Sequence, residues 1–294
     1  MKKISMLLML LCITLGANAQ LLWKISGKDL PKPSYVFGTH HLAPLSITDS
    51  IAGFRQALNQ VEQVYGEIVM EDMTQAANLQ KMQQAILLPG DTTLHTLFTP
   101  AQYDSLAATV KTLMGADLKM FDNIRPAFLS TQISALLAMK TVQGLDPKQQ
   151  LDSWVQAEAR KMGKAVGGLE TMDFQMGILF GSQSLKRQAE QLYCSIQHLD
   201  LMEQQTVKMT AAYMQQKLDV LEKVITEKMG NACDALPEEE EAMIYGRNSN
   251  WAQAMPAIMK QKSTLFAVGS GHLTGQRGLL QLLRNEGYKV EAVR

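Results

Sequence analysis

The sequence predicts an α/β fold, in which a central, mostly parallel sheet from two related halves carries a large helical insertion lobe. Three observations support this. Short apolar strands alternate with amphipathic helices toward both ends of the chain, which is typical of α/β architecture. One strand-end pattern also occurs twice, near the start and near the end. The long middle has helical spacing and is rich in methionine and glutamine.

The repeated pattern is an apolar strand followed by Gly, a hydroxyl residue, one further residue, His and Leu. Its first copy spans 35–42 and its second copy spans 265–273. The chain has only five histidines in 294 residues, so a chance second copy is improbable. Shared descent of two similar half-units is the simpler account.

The first half predicts two strands and a strand–helix–strand unit. The strands at 22–26 and 34–37 are separated by a turn with two prolines and are expected to form a hairpin. A helix capped by Thr48 leads to a strand at 64–70, which predicts adjacent parallel strands joined by a right-handed crossover. Glu67 is expected inside that last strand.

The helical lobe is predicted over approximately 74–163 and 175–262. Within it, Asp146 and Pro147 are expected to begin a helix, with Asp as the N-cap and Pro in the first turn. The segment 245–250 is expected to interrupt the helical pattern as a loop.

The remaining strands complete the sheet. A short buried strand at 165–170 ends in Glu170. The strand at 264–268 leads into the second histidine motif. A helix at 276–285 and a final strand at 288–293 close the chain.

The N-terminus predicts a secretory signal peptide. Lys2 and Lys3 precede an apolar run at 4–16, and small residues then mark a cleavage site after Ala19. The mature chain is therefore expected to be a single domain over 20–294 that is secreted or, in a bacterium, periplasmic.

Composition excludes some classes of partner. The formal net charge is zero and no basic patch is evident, which argues against nucleic acid as a partner. No later apolar run approaches the roughly 20 residues that span a bilayer. Cys194 and Cys233 could form a disulfide between two helices in an oxidising compartment, or remain two buried thiols.

The candidate chemistry lies where strands end. In parallel sheets, functional groups collect beyond the carboxyl ends of the strands. His41 and His272 should face each other there, with Glu67 and Glu170 nearby. Two imidazoles and one or two carboxylates suit a divalent metal ion that activates water, while a glutamate moves protons.

Simpler interpretations exist for each residue. A single Gly-x-x-His after a strand is usually a turn whose histidine makes ordinary hydrogen bonds. Glu67 could instead form an edge-strand salt bridge, although burying it without a partner would be costly. Arg247 and Asn248 resemble a loop before a helix. His40 is expected to be a neighbour rather than a ligand, because its counterpart is Gly271.

These motifs resemble the TraB/GumN group of exported proteins, which is related to the Tiki metalloproteases and more distantly to erythromycin-esterase-like and ChaN-like proteins. The matching stretches occur in family order and span most of the chain: 22–25, 35–42, the strand around Glu67, 144–146, 168–170, 247–248 and 268–273. The resemblance implies a site centred on His41, Glu67 and His272, with Arg247 and Glu170 as neighbours. It also implies a metal-dependent peptidase activity of the manganese or cobalt type.

The leading hypothesis is thus an exported metal-dependent hydrolase, peptidase-like, acting on a peptide or small molecule. His41 and His272 would bind Mn²⁺, Co²⁺ or Zn²⁺, and Glu67 would be a ligand or the general base. Glu170 and Arg247 would support the site, with Arg247 stabilising anionic charge. The alternatives are a non-enzymatic binding protein for haem or a peptide, and an inactive scaffold whose lobe binds partners.

Overall fold

The computed structural model describes residues 20–294. The predicted signal peptide falls on residues 1–19, which lie outside the described part of the chain. The structure of residues 20–294 confirms the predicted α/β fold, with a mostly parallel sheet and a helical lobe. No helix within residues 20–294 combines the length and the apolar character needed to cross a membrane.

One sheet of six strands organises residues 20–294, in the spatial order β4-β3-β5-β2-β1-β6. Its strands are β1 (Leu22–Ser26), β2 (Ser34–Thr39), β3 (Gln63–Gly66), β4 (Ala165–Gly168), β5 (Thr264–Gly269) and β6 (Lys289–Ala292). The first four strands of that order run parallel to one another, whereas β1 is antiparallel to both of its neighbours. The predicted hairpin of the first two strands is confirmed.

The predicted adjacency of β2 and β3 is wrong. Both strands pair with β5, which lies between them, so they are parallel but separated. Every side chain of β2 is buried, and five of the six in β5 are buried. Strands buried on both faces are typical of the interior of a parallel sheet that is covered on both sides, and β2 and β5 both lie in the interior of this sheet. Glu67 correspondingly follows β3, which ends at Gly66, instead of lying within it.

The helices occupy the outer layers and the lobe. They are α1 (Phe54–Gln60), α2 (Ala76–Ala85), α3 (Leu94–Leu97), α4 (Pro100–Met114), α5 (Pro126–Thr141), α6 (Leu151–Lys161), α7 (Met172–Gly181), α8 (Leu185–Gln197), α9 (Leu199–Met214), α10 (Leu218–Thr226), α11 (Pro237–Glu240), α12 (Gly246–Gln261) and α13 (Leu279–Asn285).

Hydroxyl side chains begin several of the lobe helices. Thr99 and Ser184 accept backbone N–H groups at the starts of α4 and α8, and Thr171 does so at α7. Such caps satisfy amides that have no partner within the helix. Pro100 occupies the first turn of α4, and Gly115 ends that helix in the left-handed conformation at φ 67°.

Two helix predictions in the lobe are wrong. Asp146 does not begin a helix, because its carboxylate closes a local turn by accepting the Lys148 amide at 2.9 Å, and α6 starts only at Leu151. The segment 245–250 is not a loop either: α11 continues through a π-helical turn into α12.

The π-helical turn depends on a glycine. The Gly246 amide bonds to the carbonyl of Glu241, five residues back. A Cβ at position 246 would lie 3.0 Å from that oxygen. Glycine therefore suits this turn, and the helix that follows keeps Arg247 and Asn248 in fixed positions.

Two apolar clusters hold the fold together. One surrounds the sheet and includes Phe37, Phe54, Trp251 and Phe266. The other lies inside the lobe, between α3, α4, α5 and α8. The lobe thus packs around apolar side chains of its own, as an insertion should.

A disulfide joins Cys194 of α8 to Cys233, which lies in the segment between α10 and α11. The bridge therefore links a helix to a loop and not, as expected, two helices. Arg187 holds the same loop by donating to the carbonyls of Ala232 and Asp234 at 2.9 and 2.6 Å.

We expect reduction of this disulfide to destabilise the protein by about 2 kcal/mol, the lower end of the usual range, because Arg187 still anchors the loop. Thermal unfolding with and without reductant measures the effect. A Cys233→Ser variant should show the reduced stability in both conditions. Equal melting temperatures for the oxidised and reduced wild type would contradict the prediction.

Candidate functional site

Four parallel strands end at one edge of the sheet and place the predicted residues there. His41 follows β2, His272 follows β5, Glu67 follows β3 and Glu170 follows β4. The carboxyl edge of a parallel sheet is the usual location of functional groups. The structure therefore brings these four residues to one edge.

The two histidine motifs pack directly against each other. In the β2–β5 ladder, Thr39 pairs with Gly269 and Gly38 pairs with Val268, one residue out of step with the sequence alignment of the motifs. A Cβ at Gly38 would lie 2.7 Å from a methyl carbon of Leu273. Glycine is needed there because the second motif's loop crosses the end of β2.

Asp152, in the first turn of α6, binds the first motif with both carboxylate oxygens. Thr39 Oγ1 donates to Oδ1 at 2.7 Å, and His41 Nδ1 lies 2.7 Å from Oδ2. The Asp152 side chain is 7% exposed and the His41 side chain 60% exposed. The imidazole is thus fixed from its buried side, and its Nε2 edge is left available.

The contact between His41 and Asp152 shifts the pKa of each group in the direction that favours its charged form. The negative charge and hydrogen bond of Asp152 raise the pKa of His41 to about 9, outweighing partial desolvation. Burial alone would raise the pKa of Asp152, but the His41 charge and the hydrogen bonds from His41 and Thr39 bring it below its usual value. His41 and Asp152 therefore form an ion pair at neutral pH.

His272 has a different environment. Its Nδ1 lies 2.7 Å from Asn248 Oδ1, and Asn248 Nδ2 donates to the Arg277 carbonyl at 2.9 Å, which fixes the amide orientation. The imidazole also packs against Trp251 at a ring distance of 4.5 Å. Burial lowers the pKa of His272 to about 4, despite the nearby Glu67 carboxylate, and the positive charges of Arg247 and His41 lower it further. His272 is neutral and carries its proton on Nδ1.

Arg247 of α12 connects the two carboxylates. Its Nε and Nη2 donate to Glu170 Oε1 and Oε2, both at 2.8 Å, and Nη2 also reaches Glu67 Oε2 at 2.5 Å. Nη1 lies 3.1 Å from His272 Nε2. The guanidinium is 6% exposed, so this is a buried, charge-assisted network. Trp251 Nε1 donates to Glu170 at 3.0 Å and completes it.

Glu67 is ionised at this position. Its Oε1 accepts the Gly269 amide at 2.8 Å, and its Oε2 accepts Gln175 Nε2 at 3.0 Å besides Arg247. Burial alone would raise the pKa of Glu67, but the charge of Arg247, the hydrogen bond from the Gly269 amide and the charge of His41 bring it below its usual value. Glu67 bridges the sheet, the lobe helix α7 and α12.

His40 turns away from this network. Its Nε2 lies 3.4 Å from Thr210 Oγ1, and its ring packs on Tyr213 at 5.3 Å. Burial, with the charge of His41, lowers its pKa to about 4. Tyr213 in turn donates to the Gly38 carbonyl at 2.8 Å, so α9 braces the end of β2. His40 is a neutral neighbour in this structure.

The donor types present suit a divalent cation. Metal-binding histidines usually donate Nδ1–H to an oxygen and present Nε2. Both imidazoles are held at Nδ1 in this way, but His41 is also protonated on Nε2 and would have to release that proton to bind a cation. His272 Nε2 and Glu67 Oε1 are 3.9 Å apart. Arg247 Nη1, however, lies on the Nε2 side of His272. Coordination by His272 therefore requires that Nη1 move aside.

Within residues 20–294, a cluster outside the candidate site has three donor atoms close enough to share one metal ion. The donor atoms of Cys194, His198 and Cys233 lie within 4.8 Å of one another. The two sulfurs are joined in the disulfide, so they offer no thiolate ligands. His41, Glu67 and His272 do not form such a close group in the described chain.

Sequence reasoning missed four residues that bind the predicted ones: Asp152, Gln175, Asn248 and Trp251. Asp152 appears as an ordinary polar residue in the first turn of a helix, and Gln175 as one glutamine among many. Asn248 belongs to the stretch 247–248 that resembles the family, but the sequence predicts only a loop there and gives Asn248 no role in the site. The indole of Trp251 gave no signal beyond helical spacing.

Comparison with known proteins gives consistent results. The TraB/PrgY/gumN family profile matches residues 21–292. Metalloprotease TIKI2 of Danio rerio is 25% identical over 92% of this chain and 60% of its own length. Metalloprotease TIKI1 of Danio rerio is 23% identical over 88% of this chain and 60% of its own length.

A more distant animal protein extends this similarity. The metalloprotease TIKI homolog of Nematostella vectensis is 20% identical over 89% of this chain and 65% of its own length. The chain thus spans less than two thirds of the length of these relatives. No solved structure matches the chain.

Proposed function

Because this chain belongs to the TraB/PrgY/gumN family, we propose that it is a metal-dependent hydrolase that acts on peptides. His41 and His272 would hold the cation through Nε2, and Glu67 would be a third ligand or the general base. The observation that carries the proposal is the pair of Nδ1-anchored imidazoles on adjoining strand ends beside an ionised glutamate. The relatives named metalloproteases support the same class.

A divalent cation such as Mn²⁺, Co²⁺ or Zn²⁺ would supply Lewis acidity and an activated water. The residues of the chain provide the remaining functions. Asp152 and Asn248 would accept Nδ1–H of His41 and of His272 and so direct Nε2 of each ring toward the cation, with His41 releasing its Nε2 proton on binding. Glu67, held ionised, would be available to accept a proton, and Arg247 orients it while Glu170 neutralises part of the arginine charge.

Export is a further part of the proposal. A disulfide is stable in oxidising compartments and rare in reducing ones, so the bridge between Cys194 and Cys233 favours a secreted or periplasmic location. Mass spectrometry of the N-terminus of the exported protein tests the cleavage predicted after Ala19. An uncleaved cytoplasmic product would contradict it.

We expect purified protein to bind one equivalent of a divalent cation and to lose it in His41→Ala and in His272→Ala. Elemental analysis measures the metal content. Cleavage of a peptide library should depend on added Mn²⁺, Co²⁺ or Zn²⁺ and should disappear in both variants. His95→Ala is the matched control, because His95 is an exposed lobe histidine away from the strand ends.

Unchanged metal content in both site variants would contradict the metal role. Metal binding without cleavage of any peptide would contradict the peptidase role. A Soret band on titration with haem, lost in the same variants, would favour the alternative of a haem-binding protein instead.

A further inference from the structure

A cavity of about 750 Å³ lies between the lobe and the loop that carries the second histidine motif. Its walls come from α8, α9 and α10, the segment before α11, the π-helical turn and the loop after β5. Pockets of this size typically bind a small molecule or several side chains. None of the hydrolase roles assigned above uses it.

Three residues of the cavity wall also touch the candidate site. Gly271 directly precedes His272, and the Met243 carbonyl accepts Arg247 Nη1 at 3.2 Å. The Arg277 carbonyl accepts the Asn248 amide that orients His272. A ligand in the cavity would therefore lie against the backbone that positions His272 and Arg247.

Flexible side chains make up much of the apolar part of the wall. Four methionines line it, Met202, Met209, Met229 and Met243, together with Ile225. Methionine is unbranched and polarizable, so such a wall adapts to apolar side chains of different shapes. Ile225 is 43% exposed and is therefore accessible to a ligand.

The charges of the wall favour a cation. Its two basic residues are already paired, Lys228 with Glu240 and Arg277 with Glu241. Within residues 20–294, Glu222 forms no ion pair, and the same holds for Glu227.

Glu222 is also held close to the second motif's loop. A Cβ at Gly275 would lie 3.1 Å from Glu222 Oε1, so this carboxylate sits beside the loop that follows His272. An incoming cation would find these carboxylates uncompensated, whereas an anion would be repelled.

We propose that this cavity binds a polypeptide segment in which a lysine or arginine lies beside apolar side chains. The cation would contact Glu222 and Glu227, and the apolar side chains would pack among the methionines. Delivery of the adjoining peptide bond to His41 and His272 rests on the proposed function. The binding itself does not.

The test measures binding without hydrolysis. Three fluorescein-labelled peptides share one leucine-containing sequence and carry Lys, Met or Glu at the central position. Fluorescence anisotropy with the full chain bearing His41→Ala, in the presence of EDTA, reports their affinities. We expect the Lys peptide to bind about three- to tenfold more tightly than the Met peptide, and the Glu peptide to bind most weakly.

Variants locate the contact. The double variant Glu222→Gln/Glu227→Gln should lose the preference for the Lys peptide and should keep the wild-type affinity for the Met peptide. Glu71→Gln/Glu291→Gln, which changes two carboxylates outside the cavity, should leave the preference intact. Ile225→Trp should weaken the binding of all three peptides, because the larger side chain would fill part of the cavity. Circular dichroism confirms that each variant is folded.

Equal affinities for the three peptides, a Lys preference that survives the double glutamine variant, or no peptide binding would each overturn the inference. If the preference follows the cavity but the wild type with metal cleaves no peptide, the proposed hydrolase fails and the binding site stands. A small polyamine whose binding is lost in Glu222→Gln/Glu227→Gln, but which does not compete with the Lys peptide, would overturn the assignment of the cavity to polypeptide.

Discussion

Replacing Arg247 with alanine is expected to destabilise the protein by about 3–5 kcal/mol, because removal of one member of a buried ionic network leaves the others uncompensated. Glu67 and Glu170 would then remain as two buried carboxylates without their shared cation. Repulsion and burial together would raise the pKa of Glu67.

Urea unfolding of the metal-free protein measures this effect. Arg247→Lys should recover only part of the loss, because an ammonium cannot bind Glu170 with two parallel hydrogen bonds while also reaching Glu67. Arg277→Ala is the control: its pair with Glu241 is half exposed, so a change of about 0–1 kcal/mol is expected. Similar losses of unfolding free energy in Arg247→Ala and Arg277→Ala would contradict the prediction that the buried network contributes more to stability than the exposed pair.

Arg247 also illustrates which parts of the fold the sequence reveals. Strands with continuous apolar runs, such as 34–37 and 264–268, were predicted because burial on both faces leaves a local pattern. The helix through 245–250 was not, because its glycine, asparagines and serine are weak helix formers. Their helical conformation is stabilised by distant contacts, such as that between Arg247 and Glu170, which no local window contains.

Strand order was unpredictable for a similar reason. Pairing of β5 between β2 and β3 joins residues about 200 positions apart, for example Gln63 Nε2 with Thr264 Oγ1. A strand–helix–strand unit indicates parallel direction but leaves room for a third strand. The duplicated motif indicated that both halves contribute to one edge, but not that β5 is central.

The candidate site likewise contains some residues that could be predicted from the sequence and others that could not. His41, His272 and Glu170 are expected at strand ends, so their meeting could be predicted from topology and a repeated motif, whereas Glu67 is expected inside a strand and instead follows β3. The residues that orient them come from helices far along the chain: Asp152 is 111 residues from His41. A carboxylate in the first turn of a helix is usually solvated and stabilises the helix dipole, so its sequence position alone suggests no other role.

Replacing Asp152 with alanine is expected to lower metal affinity and any metal-dependent activity by about 10–100-fold, the usual cost of losing a group that orients a metal-binding histidine. Asp152→Asn should cost less, because an amide oxygen can still accept His41 Nδ1–H, as Asn248 does for His272. Isothermal titration with Mn²⁺ or Zn²⁺ compares the three proteins. Asp173→Ala is the control, since Asp173 pairs with Lys81 on the surface.

We also expect the stability of the metal-free protein to depend on pH through the pair of His41 and Asp152. The pKa of His41 is raised from 6.5 to about 9, so its contribution to stability is complete below pH 6.5 and is lost as the pH rises through 9. The pKa of Asp152 is lowered from 3.8, so its contribution is present above that value and is lost on further acidification. The stability difference between the wild type and Asp152→Asn should therefore be largest between about pH 4 and 6.5 and should shrink toward pH 9.

Unfolding in urea, with EDTA present, across this pH range measures the difference. NMR titration of the imidazole should also show the pKa of His41 falling in Asp152→Asn, since the amide carries no charge to stabilise the imidazolium. A stability difference that stays constant from pH 4 to pH 9 would mean that the buried carboxylate only packs against the first motif. In that case alanine and asparagine at position 152 should reduce metal affinity equally.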